Sequence, residues 1–505
     1  MSDTLSEEWL SRLREFIAER MGLYFPVERR HDLERGILSA AQEFHFPDSE
    51  TFSQWLLSSP LTRNQIESLA GHLTIGETYF FREKRYFEIL EEHFIPELIR
   101  TRRENERRLR IWSAGCCTGE EPYSIAILLY LLIPKLKDWN ITILATDINP
   151  NFLKKAVPGM YGKWSFRNVP AGIIEQYFYR REDGRFEILP DIKKMVIFSY
   201  LNLAEDSYPS LTNDTNAMDM IFCRNVLMYF APEKAKKVIQ NLYRSLVDGG
   251  WLIVSSSELS QHLFSQFKTV HFADAIVYRK DEKKSDTPEI HPWLPPEAKD
   301  TFLPRLNVNP TPPLAIDVQQ ESPESFQAWI EGRKQVESSS SVEVDIFPLY
   351  QQGRYQEVEK ELSNRWLHRP GDPKEIALLA RTYANQGKLQ PALEWCEKAI
   401  EADRINAGLY YLRATILQEL GKLDEAVASL KRTLYLDPKF VLAYFAIGHL
   451  HRRQGKIKES RKQFENVLSL LHPYSPEEVL PESEGITAKR LREMVQAVLD
   501  MEEAV

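Results

Sequence analysis

The sequence predicts an α/β protein with a helical region before its sheet and an all-α repeat array after it. Three observations support this. Apolar residues recur at helical spacing through residues 5–73, strand and helix patterns alternate through residues 108–280, and a glycine recurs every 34 residues in the last third of the chain. At 505 residues the chain is too long for one ordinary core, so roughly two to four domains are expected.

Charge and cysteine content argue against several kinds of function. Lys and Arg number 64 and Asp and Glu number 73, and the net charge of -9 argues against nucleic-acid binding by bulk electrostatics. No C-x-x-C pair and no histidine at zinc spacing accompany the four cysteines, Cys116, Cys117, Cys223 and Cys396. We therefore expect reduced structural thiols and no metal site.

The N-terminus and the apolar runs carry no membrane signal. The first residues, MSDTLSEEWL, lack a basic segment followed by an apolar one. The longest apolar run, residues 125–133, is too short to span a bilayer. These features predict a cytoplasmic protein without membrane insertion.

Residues 1–75 are predicted to form an N-terminal helical domain. Four stretches have helical apolar spacing, and the fourth starts at Thr62, a candidate N-cap with Gln65 at the third helical position. A basic stripe lies within residues 29–35, RRHDLER. A solvated helix face is the favoured interpretation of the stripe, and docking of an acidic partner helix is the alternative.

An aromatic and cationic cluster follows this region, in residues 74–90, TIGETYFFREKRYFEIL. Aromatic residues at a domain junction usually belong to a core. Arg82 is harder to explain in that way, because a guanidinium beside so much apolar surface needs an anionic partner.

Residues 111–121, IWSAGCCTGEE, have the pattern of a strand, a turn and a helix N-terminus. Gly115 and Gly119 let the backbone approach a ligand closely at the edge where a parallel sheet opens, which is typical of nucleoside cofactor sites. Glu120 and Glu121 suit the helix dipole but would repel a pyrophosphate. The turn therefore favours a cofactor that is cationic or carries hydroxyls over NAD or ATP.

Polar residues also follow the other predicted strands of the sheet domain, residues 76–280. Asp147 ends the second strand, where a carboxylate can accept hydrogen bonds from both ribose hydroxyls; a surface helix N-cap is the alternative interpretation. Carboxyl ends of parallel strands share one edge, where this architecture binds ligands. The residues at or just past the third and fourth strands are Asn202, Leu203, Arg224, Asn225 and Tyr229.

Three further features complete the predicted sheet domain. Residues 177–196 alternate around Asp183-Gly184, which predicts a hairpin in a small β subdomain. The helix that starts near residue 232 is predicted to end at Gly249-Gly250. Residues 267–280 are predicted to add a closing hairpin that leaves one strand antiparallel.

The last part of the chain combines a linker with repeats. Residues 281–342 are rich in Pro and Ser and predict a linker. Residues 343–475 have the 34-residue helix-turn-helix period of tetratricopeptide repeats (TPR), and residues 476–505 are predicted to hold a capping helix. Arrays of this kind form a concave surface that binds peptides or helices, so a partner-docking or self-association module on a flexible tether is expected. The repeated glycines are Gly353, Gly387, Gly421 and Gly455.

Several stretches of residues 1–280 resemble the CheR family of chemotaxis receptor glutamate methyltransferases. They are ETYFFRE, WSAGCCTGEEPYSIA, ATDI, LNL, IFCRNVLMYF and GGWLIVSSSE. The resemblance implies an S-adenosylmethionine-dependent methyltransferase with a Rossmann-like sheet, a β subdomain and an N-terminal helical domain. It also implies a cofactor site lined by Thr78, Arg82, Glu121, Asp147, Asn202, Leu203, Arg224 and Asn225, with Arg82 and Tyr229 facing the reacting centre.

Two departures from the family pattern affect these expectations. Gly76 stands where family members often have Asn, so one cofactor contact is missing or is made by backbone instead. The hairpin at Asp183-Gly184 is shorter than in members that hold a receptor's C-terminal peptide there, which puts such tethering in doubt.

The resemblance implies methylation of glutamate carboxylates on the cytoplasmic helices of chemoreceptors, with the repeats docking protein or peptide partners. A glutamate side chain has an ordinary pKa of about 4.3 and is ionised at neutral pH, so it needs no general base to attack a sulfonium methyl group. Two alternatives stay open: methylation of another acceptor, and a catalytically weak signalling scaffold.

Overall fold

The computed structural model describes residues 5–59, 61–74, 76–102, 107–204, 208–272, 275–281, 289–290, 345–368 and 372–503. Most of the predicted linker, residues 281–342, lies outside these ranges. Within the described part of the chain, no helix combines the length and the apolar character that crossing a membrane requires.

The described N-terminal residues form four α-helices around a core of their own, as the apolar spacing predicts. Leu10, Leu13 and Ile17 are fully buried in that core. The predicted capping box is present, since the Gln65 side chain accepts a hydrogen bond from the Thr62 N–H at 2.7 Å. The helices are α1 Glu7–Met21, α2 Arg30–Glu43, α3 Ser49–Ser58 and α4 Arg63–Leu73.

The basic stripe around the start of α2 is paired with carboxylates of α2 and, through Arg30, with Glu7 of α1 at 2.5 Å. Arg29 and Arg35 both contact Asp32, at 3.1 and 3.0 Å. Arg30 contacts Glu34 at 3.0 Å. These i to i+3 and i to i+4 pairs agree with the solvated-face interpretation.

The central sheet has eight strands in the described residues. They are β1 Arg108–Ala114, β2 Asn140–Asp147, β6 Val196–Tyr200, β7 Met218–Phe222, β8 Leu246–Ile253, β9 Lys268–Phe272, β10 Ala275–Arg279 and β11 Glu289–Ile290. Their order across the sheet is β11-β9-β10-β8-β7-β1-β2-β6. Every neighbouring pair is parallel except the two pairs that contain β10, so the predicted closing hairpin with one antiparallel strand is confirmed.

Helices cover the sheet, and all seven residues of β1 are buried. One predicted helix end is wrong. The helix of residues 232–245 stops at Ser245, and Gly249 and Gly250 lie within β8, where their backbone groups exchange hydrogen bonds with Lys280 at 2.8 Å. Pairing with the residue that follows β10 therefore overrides the C-cap pattern. The helices that follow the N-terminal four are α5 Lys84–Ile89, α6 Ile95–Thr101, α7 Glu120–Leu132, α8 Pro150–Ala156, α9 Ala171–Tyr177, α10 Pro190–Lys193 and α11 Pro232–Ser245.

The predicted hairpin at Asp183-Gly184 is present within a three-stranded sheet of β3 Met160–Tyr161, β4 Phe178–Arg180 and β5 Phe186–Ile188. The strand β3 has only two residues, too few for a sequence pattern. Phe80 from the aromatic cluster packs on this subdomain, with ring centroids 5.0 Å from Phe166 and 5.1 Å from Phe178. The cluster is therefore core, as expected for aromatics at a junction.

The last third of the chain forms helix pairs with the predicted 34-residue period. In each pair a first helix, a turn with a left-handed glycine and a second helix follow one another. The first helices are Ile346–Gln351, Pro373–Asn385, Ala407–Glu419 and Val441–Arg453. The second helices are Tyr355–His368, Leu389–Ala402, Leu423–Leu436 and Ile457–Leu470, and the predicted capping helix is Ala488–Glu503.

The repeats pack directly on the central sheet, at the edge where its parallel strands begin. Glu419 accepts hydrogen bonds from the side chains of Asn216 and of Arg108, the first residue of β1, each at 2.9 Å. Asn140, the first residue of β2, donates to the Glu419 carbonyl at 2.6 Å. An array free on a flexible tether would make no such buried polar contacts, so the structure corrects that part of the expectation.

Candidate functional site

A pocket lies at the opposite edge of the sheet, where the parallel strands end and the N-terminal helices close over them. The structure brings all nine predicted site residues together around this one pocket; their individual roles remain predictions. They are Thr78, Arg82, Glu121, Asp147, Asn202, Leu203, Arg224, Asn225 and Tyr229.

The glycine turn after β1 is fixed to the neighbouring strand and leaves no room for a side chain. Gly115 has a φ of 85°, and a Cβ added there would lie 2.4 Å from Val226 Cγ2. The N–H groups of Gly115 and Cys116 both donate to the Thr146 carbonyl, at 2.8 and 2.9 Å. The turn therefore needs glycine for its conformation and for its close approach to the loop after β7.

The Asp147 carboxylate links the loop after β1 to the loop after β2. Its carboxylate accepts hydrogen bonds from the Cys117 N–H and the Asn149 N–H, each at 2.8 Å. Burial raises the pKa of this carboxyl to about 6, although these hydrogen bonds favour the ionised form. The interpretation as a surface N-cap is wrong, because Asp147 is buried and Asn149 caps the next helix.

Glu121 and the buried Arg224 form an ion pair that ties three segments together. Glu121 accepts hydrogen bonds from Ser113 Oγ at 2.7 Å and from Arg224 Nη1 at 3.0 Å. Arg224 Nη2 donates to the Arg82 carbonyl at 2.6 Å. The guanidinium of Arg224 therefore holds the first helix turn of α7 and the backbone at Arg82 in fixed positions.

Arg82 and Tyr229 reach the pocket from different segments. Arg82 Nη1 donates to the Glu77 carbonyl at 2.6 Å, so its hydrogen bond goes to a neutral oxygen rather than to a carboxylate. Tyr229 is half-buried, and its carbonyl accepts a hydrogen bond from the Tyr24 N–H at 2.6 Å. Burial raises the pKa of the Tyr229 phenol above its ordinary value, so the hydroxyl stays protonated and can donate at neutral pH.

Asn225 lines the pocket and carries a hydrogen-bond acceptor without a partner among the described residues. Its backbone has a φ of 57°, and its N–H donates to Glu258 at 2.7 Å. The buried Oδ1 atom has no hydrogen-bond partner among the described residues. A buried polar atom is normally paired, so this site fits a ligand that brings its own donors, as a nucleoside does.

Asn202, Leu203 and Thr78 line the remaining wall. Asn202 Oδ1 accepts a hydrogen bond from the Ala204 N–H at 2.9 Å, which fixes the loop after β6. Leu203 is buried and its carbonyl accepts from the Tyr208 hydroxyl at 2.9 Å. Thr78 is half-buried at the rim.

The position of Gly76 has a steric explanation in this chain. A Cβ at Gly76 would lie 2.6 Å from Phe152 Cζ and 3.4 Å from Cys117 Sγ. Phe152 itself lines the pocket. The aromatic ring therefore fills the space that a side chain at residue 76 would need.

Glu258 holds the loop after β7 and is not among the residues predicted from the sequence. Its carboxylate accepts hydrogen bonds from the backbone N–H groups of Asn225, Val226 and Met228, at 2.7, 2.7 and 3.2 Å. Its position could have indicated this role, because Glu258 follows β8 and therefore lies at the same edge of the sheet as the other site residues. Three further lining residues come from the N-terminal region and were not predicted either. Tyr24 and Phe25 follow α1, Leu73 ends α4, and none carries a pattern beyond its apolar character.

The fold and the site define a class of protein: an open α/β sheet with a nucleoside cofactor pocket at its carboxyl edge. Residues 76–276 match the family model "CheR methyltransferase, SAM binding domain". Among known relatives, "Chemotaxis protein methyltransferase 2" of Vibrio cholerae is 32% identical over 278 residues, which cover 54% of this chain and 94% of that protein. The chain belongs to this family, the CheR-type chemotaxis protein methyltransferases.

Other comparisons agree with this family assignment. "Chemotaxis protein methyltransferase 1" of Pseudomonas aeruginosa is 34% identical, covering 42% of this chain and 77% of that protein. The last third matches the models "TPR repeat" at residues 415–455, "Tetratricopeptide repeat" at 441–470 and "Anaphase-promoting complex, cyclosome, subunit 3" at 351–433. The chain is therefore an S-adenosylmethionine-dependent methyltransferase that carries C-terminal TPR repeats.

Proposed function

We propose that the chain methylates glutamate side chains on the cytoplasmic helices of chemoreceptors, forming methyl esters during chemosensory adaptation. The observation that supports this most directly is the meeting of Arg82 and Tyr229 at one pocket with Asp147. A cation and a protonated phenol suit an anionic acceptor, and a carboxylate suits the hydroxyls of a nucleoside.

The residues present fit S-adenosylmethionine. The unpaired Oδ1 of Asn225 and the buried carboxylate of Asp147 can accept hydrogen bonds from its nucleoside, and Glu121 adds negative charge near a cation. When bound, S-adenosylmethionine supplies a methyl group on a positively charged sulfur.

The chain's own residues would act mainly by alignment. An ionised glutamate is already a nucleophile, so the pocket needs no catalytic base. Arg82 would orient the incoming carboxylate, and the Tyr229 hydroxyl would position it by a hydrogen bond. Few contacts are needed, since over-stabilising the carboxylate would lower its reactivity, and placement alone can contribute several kcal/mol.

The test is transfer of labelled methyl from S-adenosylmethionine to chemoreceptor-containing membranes, read as methanol released by alkali. Carboxyl methyl esters hydrolyse under these conditions and N-methyl groups do not. We expect methanol from the wild-type chain and none from Asp147→Ala. The matched control is Asp191→Ala, since Asp191 is 74% exposed and does not line the pocket.

Two outcomes would contradict the proposal. Labelled product that resists alkali would point to another acceptor. Cofactor binding without any transfer would point to a signalling scaffold.

We also propose that the TPR repeats dock a protein partner, because arrays of this kind bind peptides or helices on one face.

A further inference from the structure

One face of the first repeat helices is covered by other segments of the same chain. This face, here called the repeat groove, carries Tyr350, Arg381, Gly408 and Glu419. At one end Glu419 contacts the start of the sheet. At the other end the groove holds residues 479–487, VLPESEGIT, here called the acidic loop.

The acidic loop is closed on itself and presents two carboxylates. Val479 and Thr487 form an antiparallel bridge, and the Leu480 N–H donates to the Ile486 carbonyl at 2.9 Å. Glu482 and Glu484 project from the tip, two residues apart. The loop therefore has the form of a short acidic peptide held by its ends.

The groove binds both carboxylates with charged and polar groups. Arg381 forms ion pairs with Glu482 and with Glu484, the latter at 3.9 Å. The Tyr350 hydroxyl donates to Glu484 at 2.8 Å, and the Leu211 N–H donates to it at 3.0 Å. Arginine with two further donors is a recognition site for carboxylates.

The wall of the groove is shaped for a close approach. A Cβ at Gly408 would lie 2.9 Å from the Glu482 carboxyl group. Asn385 donates to the Tyr350 hydroxyl at 2.9 Å, and its buried Oδ1 has no partner among the described residues. The groove thus offers one more acceptor than the acidic loop uses.

The loop is strained where it binds. Glu482 and Glu484 have φ values of 62° and 56°, in the left-handed region that residues with a side chain rarely adopt. Such conformations persist only where surrounding contacts enforce them. The contacts to Arg381 and Tyr350 enforce them together with bonds inside the loop, such as that from Ser483 Oγ to the Ile486 carbonyl at 3.0 Å.

We propose that the repeat groove is a binding site for an acidic peptide whose two carboxylates, two residues apart, replace Glu482 and Glu484. The chain's own acidic loop is then an internal competitor, and a partner binds by displacing it. The charge of Arg381 and the donors around it define the partner's chemistry. This inference rests on the proposed docking role of the repeats.

The test uses the full-length chain and a fluorescently labelled synthetic peptide, VLPESEGIT, which copies the acidic loop. We expect the double variant Glu482→Gln/Glu484→Gln to bind it at least tenfold more tightly than the wild type. Adding Arg381→Gln should abolish the gain, and the peptide with Gln in place of both Glu residues should not bind. Equal binding to the wild type and the double variant, or binding that survives loss of Arg381, would overturn the proposal.

A second measurement decides the matter if the double variant fails to fold. In the wild-type chain, excess unlabelled peptide should speed hydrogen exchange at the Leu480 amide, whose bond to the Ile486 carbonyl closes the acidic loop. A bound peptide cannot replace this bond, because both partners belong to the displaced loop. The Gly115 amide, bonded to Thr146 at the other edge of the sheet, is the control and should not change. No change at Leu480 at saturating peptide refutes the displacement.

Methyl transfer to receptor membranes is measured in the same preparations. If receptor membranes are methylated normally but the peptide does not displace the acidic loop, the groove site is rejected and the proposed substrate is kept. If the peptide displaces the loop but receptor membranes are not methylated, the proposed substrate is rejected and the groove site is kept.

Discussion

Glu258 accepts a hydrogen bond from the backbone N–H of Asn225 at 2.7 Å, at a residue whose φ is 57°. The other oxygen of the carboxylate accepts from Val226 at 2.7 Å, and Ser255 Oγ donates to Glu258 at 2.6 Å. One buried carboxylate therefore satisfies several donors of the loop that carries Arg224. The pocket wall after β7 depends on a residue that follows β8.

Glu258→Gln should weaken S-adenosylmethionine binding at least tenfold. The amide has one acceptor oxygen in place of two, so at least one backbone donor loses its partner, at a cost of about 1–3 kcal/mol. Isothermal titration calorimetry measures the change. Glu182→Gln is the matched control, because Glu182 is exposed in the β subdomain. Equal affinities for the two variants would show that Glu258 does not position the pocket.

Gly115→Ala should abolish cofactor binding and destabilise the fold. The added Cβ would meet Val226 Cγ2 at 2.4 Å, and the φ of 85° is unfavourable for alanine by about 1–2 kcal/mol. Gly172→Ala is the control, because nothing lies within 4 Å of its Cβ position. Thermal unfolding with and without S-adenosylmethionine should show a lower Tm and no ligand shift for Gly115→Ala only.

Cofactor affinity should fall as pH falls through about 6, because burial raises the pKa of Asp147 to about 6 and the ionised form is the better acceptor. Below that pH the dissociation constant should rise about tenfold per pH unit. Asp147→Asn should bind weakly with no such slope. A wild-type affinity that stays constant between pH 5 and 7 would contradict the ribose role.

The same raised pKa of Asp147 has an opposite effect on stability. The folded state holds the proton more tightly than the unfolded state, whose carboxyl has a pKa near 3.8. The contribution of this group to stability is therefore complete below pH 3.8 and is lost as pH rises toward 6. Relative to Asp147→Asn, the wild-type chain should lose unfolding free energy across that interval, as urea titrations can measure.

Arg82→Ala should lower kcat for receptor methylation at least tenfold with a smaller effect on cofactor affinity, because the guanidinium is proposed to orient the acceptor. Tyr229→Phe should lower kcat less than Arg82→Ala does, since only a hydroxyl is lost. Arg180→Ala, an exposed site in the β subdomain, is the control. Single-turnover methyl transfer measures all three, and wild-type turnover in Arg82→Ala would refute its assignment.

Glu419→Gln should destabilise the contact between repeats and sheet by about 3–5 kcal/mol, because it leaves the Arg108 guanidinium buried without its charge partner. Burial already lowers the pKa of Arg108, with Glu419 opposing the shift. Glu425→Gln is the control, at a side chain 53% exposed. Urea unfolding midpoints that agree between the two variants would mean that the pair does not hold the interface.

Much of the candidate site could be predicted because its residues follow strands. Asp147, Asn202 and Arg224 each stand at or just past a strand end, and parallel strands end at a common edge. Glu258 obeys the same rule, yet its role depends on which backbone donors the loop at Asn225 turns toward it. That turn requires a left-handed residue, which side-chain spacing does not reveal.

The sequence by itself determined the helical N-terminal region, the alternating strands and helices, and the 34-residue repeats. Those features arise from local periodicity, because apolar spacing follows the geometry of the element that buries it. Only the tertiary structure decided that Arg108 meets Glu419 and that Arg381 meets Glu482 and Glu484. Charges far apart in the chain carry no periodic signal, and their pairing depends on how the separate elements pack.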